Sequence, residues 1–129
     1  MTDDIRAVLR ENLEGMRKSL AWLKRSHEKC SRIGVKQRYL EDEFDDFENM
    51  SNRDARTLDV IVNKVFRSID AVELEDGGTL LDVVNRNDIV HEYETDDLPA
   101  LFPQTLEAIP ELFAIAEGTE KYCQRFVEA

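Results

Sequence analysis

Apolar residues recur along most of this chain at alternating steps of four and three, the spacing of helices with one buried face. The first stripe is Leu9, Leu13, Met16, Leu20, Leu23, His27 and Cys30. It predicts a helix from about Asp3 to about Cys30, roughly 40 Å long. Thr2, Asp3 and Asp4 offer capping oxygens and negative charge at its positive end, and Gly34 closes the region. Leu40, Phe44 and Phe47 share one face of a second helix, about Val35 to Asn49. Ser51, with Asp54 three residues on, predicts the cap of a third. That helix carries Leu58, Ile61, Val62, Val65, Phe66, Ile69 and Val72.

Glu73 to Gly78 reads as a turn. Thr79 and Asp82 open a further helix running through Asn87 to about Tyr93. Pro99 suits the first turn of the last helix, where a missing N–H has no intrahelical partner. Pro110 is predicted to kink or split that helix, and Gly118-Thr119 to break it again before Tyr122 and Phe126. There is no strand-like alternation and no internal repeat. The pattern predicts an all-α fold, an antiparallel up-and-down bundle of four to five helices, with residues 1 to 129 as a single domain.

Composition narrows the function. The chain has 129 residues, enough for one domain with its own core. Acidic residues outnumber basic ones by 28 to 17, a net charge of −11. Broad electrostatic binding to nucleic acid or anionic lipid is excluded, because that needs the opposite sign. A small local site is not, and Arg53, Arg56, Lys64 and Arg67 are the cations that such a site would gather. The longest apolar run is Leu112 to Ala116, far short of the ~20 residues that span a bilayer, so no membrane is expected. Cys30 and Cys123 form no metal-ligand spacing. With no leader pattern at Met1, two free buried thiols and a cytoplasmic setting are expected.

The informative histidine is His91, in the run Arg86-Asn87-Asp88-Ile89-Val90-His91-Glu92-Tyr93. On a helix, Arg86, Val90 and Tyr93 share one stripe, and Asn87 and His91 the next. Together they span an arc of roughly 160°. Asp88 and Glu92 face away. Imidazole moves protons near neutrality, and guanidinium holds phosphate oxygens in a fork. Asn can orient either partner. The set suits attack on an RNA phosphodiester by its own 2′-hydroxyl, which needs neither metal nor protein nucleophile. On spacing alone, an Arg, a His and a Tyr on an amphipathic helix are more often packing and capping groups than catalytic ones.

The run resembles the signature of the HEPN superfamily, in particular its HepT branch: Arg, a polar residue that is usually Asn, then His, one residue, and Tyr. Arg86, Asn87, His91 and Tyr93 match every position. The upstream stretch from Asp59 to Asp70, the opening at Gly78 to Asp82 and the tail after Tyr93 extend the resemblance over most of the chain. It implies a helical homodimer with two motif copies across one cleft, acting as a metal-independent ribonuclease toxin without a cofactor. Arg86 and His91 would be catalytic and Asn87 supporting. It also implies an MNT-type nucleotidyltransferase antitoxin that attaches AMP to Tyr93. An anionic group there would block the cleft and repel RNA phosphate. RNA, not DNA, is the expected substrate.

A binding role competes with this. Chains of this kind have also been described as the non-catalytic substrate-binding subunit of a two-protein nucleotidyltransferase. The chain has no Gly-Ser pair for a triphosphate-binding turn, so it is not expected to be the transferase itself. The acidic run Glu41 to Glu48 alternates with Leu40, Phe44 and Phe47 and reads as a solvated helix face, not a metal site. His27 reads as a hydrogen-bonded interface histidine. Trp22, Phe44, Phe47 and Phe66 read as core or dimer contacts. Tyr39 and Tyr122 belong to no motif.

Overall fold

A computed structural model describes residues 3 to 75 and 98 to 127. Every regular element among them is helical. Helix α1 (Asp3–Ile33) is followed by α2 (Glu41–Val60), a π-helical turn (Ile61–Val65) and α3 (Phe66–Glu75), and then α4 (Leu98–Val127). Because α2, the π turn and α3 are continuous, the described residues form three rods. The predicted helix from Thr79 to Tyr93 lies outside the described residues, and with it the test of a four- to five-helix count.

Cross-rod contacts fix the directions. Cys30 packs at Asp46, Ser26 at Arg53, and Asn12 at Ser68, so α1 runs antiparallel to the second rod. Arg6 meets Phe126, and His27 meets Leu106, so α1 is antiparallel to α4 as well. Phe47 stacks on Phe102, and Tyr122 donates to Glu73, so the second rod and α4 run parallel.

The core lies where the apolar stripes meet. Leu9, Leu13, Met16, Leu23 and Cys30 are buried from α1, and Phe47, Met50, Ile61 and Phe66 from the second rod. α4 adds Phe102, Ile109, Leu112, Ala116 and Cys123. Gly34, at a φ of 80°, ends α1 in the left-handed region open to glycine, with its N–H on the Cys30 carbonyl at 2.9 Å.

Three boundary predictions fail, each for a local reason. The second helix begins at Glu41, not Val35, and Leu40 is its exposed N-cap at 71 % accessibility, not a core position. Its backbone N–H donates to Glu43 Oε1 at 2.9 Å, one half of a capping box. Ser51 caps nothing. No glycine or proline separates Asn49 from Ser51, and Met50, Asp54 and Thr57 continue the buried face without a break. The π turn then inserts one residue and rotates the following helix by about 100°. The adjacent residues Val65 and Phe66, at the end of the turn and the start of α3, are both buried.

The third failure concerns Pro110. α4 is helical throughout, with Pro103 and Pro110 inside it and Gly118 uninterrupted. A proline removes the N–H that would bond the carbonyl four residues back, here Leu106. That carbonyl lies 3.1 Å from His27 Nε2 on α1. The imidazole thus supplies the donor that Pro110 lacks, and its ring also meets Phe113 edge-on at 5.8 Å. His27 is the hydrogen-bonded interface histidine that its stripe position predicts.

This pairing has a measurable signature. His27→Ala leaves the Leu106 carbonyl without its donor and should cost about 1–2 kcal/mol. Pro110→Ala restores the helical N–H, so His27→Ala in that background should cost less, by about 1 kcal/mol. Urea unfolding of the four proteins measures the coupling. A coupling of zero would mean that the two residues act independently.

Candidate functional site

Arg86, Asn87, His91 and Tyr93, the four residues to which the sequence assigns chemistry, lie outside the described residues. The described residues instead show which surfaces surround the bundle and which groups are chemically quiet.

The acidic face is solvated. Glu41, Asp42, Asp45 and Glu48 are exposed. The two half-buried members are paired: Glu43 with Lys36 at 2.5 Å, and Asp46 with Lys29 at 3.1 Å. The Lys36 ammonium and the Leu40 N–H hold the Glu43 carboxyl below its usual range. No group of three side chains suited to hold a metal ion occurs among the described residues. No helix of the described residues is long and apolar enough to cross a membrane.

Within a single chain, the cations named from sequence fall in two places. Arg53 and Arg56 line a hollow of about 230 Å³ with Ser19, Trp22 and Thr57, between α1 and α2. Lys64 and Arg67 line a separate hollow of about 500 Å³ beside the π turn, floored by Ile5, Val8 and Ala71. Asn12 of α1 reaches the same turn. Its Nδ2 donates to the Lys64 carbonyl at 3.3 Å and to Ser68 Oγ at 2.6 Å. Ser68 in turn donates to that carbonyl at 2.8 Å. The bond from Asn12 ties the rods together where the ladder is wide, a link that sequence periodicity does not reveal.

Trp22 is not core. It is 52 % exposed, with the Arg25 and Arg53 guanidiniums 5.0 and 5.1 Å from its ring centroid. Arg25 is three residues after Trp22, one helical turn on, a signal readable from spacing. Arg53 comes from α2, and only the fold brings it there.

The thiols are buried and free. Burial, with the Asp46 carboxylate adding and Lys29 opposing, pushes the Cys30 thiol up to about 11. Burial, aided by Glu120, pushes Cys123 up to about 12. Tyr122 rises to about 12, first through desolvation and then through its hydrogen bond to the buried Glu73 carboxylate. All three folded values lie above the ordinary ones of 9.0 and 10.0. The unfolded chain therefore loses these protons first. Their contribution to stability is complete below pH 9 and is lost as pH rises toward 12. The urea midpoint should fall across that window, and a thiol reagent at pH 8 should label both cysteines only after unfolding. Rapid labelling of the native protein would contradict the burial.

No family model, curated protein or solved structure matches this chain. The functional reading therefore rests on the motif and on the physical chemistry of the fold.

Proposed function

We propose that this protein is the ribonuclease toxin of a HepT/MNT-type toxin–antitoxin pair, of the HEPN class. The observation that carries the reading is the coincidence of Arg86, Asn87, His91 and Tyr93 at the full motif spacing. The all-helical fold of the described residues is compatible with it.

In the proposed reaction the RNA 2′-oxygen attacks the adjacent phosphorus. The O2′–P bond forms, the P–O5′ bond breaks, and a 2′,3′-cyclic phosphate and a 5′-hydroxyl result. His91 takes the 2′-proton or returns one to the leaving oxygen, Arg86 holds the phosphate charge, and Asn87 orients. A homodimer would place two motif copies at one cleft. For silencing, the partner transferase would join the Tyr93 phenol oxygen to the α-phosphorus of ATP, with loss of the phenol proton and release of pyrophosphate.

Cell growth tests the pair. Expression of the wild-type chain should arrest growth, and His91→Ala should not. An MNT-type partner should relieve the arrest and add the mass of one adenylyl group, AMP less water, to Tyr93. Tyr93→Phe should remain toxic and escape silencing. Equal growth with wild type and His91→Ala would favour the second reading, a binding subunit without chemistry, with which the net charge of −11 agrees.

A further inference from the structure

We propose that Trp22, Arg25, Arg53 and Arg56 form an accessory docking surface for single-stranded RNA on the α1–α2 face of the bundle. The inference rests on RNA being the substrate in the reading above. It assigns part of the binding to a surface that the motif does not include.

Trp22 is the only tryptophan of the chain and half of it faces solvent. Arg53 is fixed beside it, with Nη1 donating to Ser26 Oγ at 2.6 Å and to the Trp22 carbonyl at 3.2 Å. Arg25 lies over the same ring, and Arg56 borders the hollow next to it. None of the three arginines is ion-paired among the described residues. That is notable on a chain whose carboxylates outnumber its cations by 28 to 17.

Two guanidiniums over one exposed indole and a third in the hollow beside it, none ion-paired among the described residues, match a chain that alternates phosphates with flat bases. Stacking on an aromatic ring is sequence-tolerant because every base has a π face, and guanidinium serves both base and phosphate. Arg25 is exposed and makes no hydrogen bond among the described residues, so it is the group able to exchange the indole for a base or a phosphate. Arg53 stays, held by Ser26. An acidic peptide would satisfy the arginines but leave the indole unused, so RNA fits the whole surface better.

The single indole is its own reporter. The test uses the full chain carrying His91→Ala, so that RNA is not consumed, titrated with a fluorescein-labelled single-stranded RNA of twelve nucleotides. Binding should quench Trp22 emission, and log K should fall against log salt with a slope of about −2, as three phosphate contacts require. Trp22→Ala should weaken binding about tenfold, and Trp22→Phe should restore most of it. Arg25→Gln with Arg56→Gln should weaken binding and flatten the salt slope; both positions are exposed, so the fold is retained. Circular dichroism checks this.

Absence of quenching, or equal affinity for wild type and Trp22→Ala, would overturn the proposal. So would tight binding of polyglutamate with none of RNA, which would mark the surface as a protein-docking site. The two readings fail separately. If the chain with His91 intact cuts RNA but the Trp22→Ala form cuts it with unchanged KM, the docking surface is wrong and the ribonuclease stands. If quenching occurs but the wild-type chain never cuts, the reverse holds.

Discussion

Phe102→Ala should destabilise the bundle by about 3–5 kcal/mol, the range for truncating a fully buried aromatic. Phe102 is fully buried and stands at the centre of an aromatic cluster. Phe47 stacks on it at 5.0 Å, and Phe44 and Tyr39 meet it edge-on at 5.4 and 5.5 Å. These rings come from α4, α2 and the loop after α1, so a single truncation opens a void that three segments share. Ring contacts of this geometry contribute beyond the area that they bury. The surrounding helices cannot close the gap without moving the first turns of α4, which begins at Leu98. Urea unfolding should show the midpoint falling at unchanged slope. Phe102→Leu, which keeps much of the volume, should cost clearly less. A loss below about 1 kcal/mol for Phe102→Ala would show that the cluster is not a packing centre.

His91→Ala should lower the single-turnover rate of RNA cleavage by roughly a hundred- to ten-thousandfold, the usual worth of a positioned general acid or base. RNA affinity should change little, because imidazole is a minor share of the charge that meets the phosphates. Arg86→Lys should also slow cleavage. It keeps the positive charge but loses the planar fork that holds two phosphate oxygens at once. Loss of rate with unchanged affinity is the mark of an interaction made in the transition state. A His91→Ala rate within threefold of wild type would assign the histidine to packing.

The sequence made the fold class legible because helical periodicity is local. The α1 stripe from Leu9 to Cys30 and the stop at Gly34 were readable without any partner. What failed depended on other segments. Pro110 truly removes a donor, but the acceptor that it abandons is served by His27, from a helix far away in the chain. Ser51 looks like a cap in isolation, yet Met50, Asp54 and Thr57 bury against neighbours and carry the helix through. Leu40 is apolar but needed as an extended N-cap, so it faces water. Trp22 lies just off the stripe, and a large ring there is held by arginines and not by the core. The motif was legible as a pattern of residue types. The grouping of the cations was not, since Arg53 and Arg56 separate from Lys64 and Arg67 only once α1 packs on the second rod.

The most direct test of the central claim is cleavage of RNA by the purified protein alone, in EDTA, with wild type and His91→Ala side by side. The account predicts fragments ending in 2′,3′-cyclic phosphate from the wild type and none from the variant. Intact RNA with both proteins, with mass spectrometry showing Tyr93 unmodified, would contradict it.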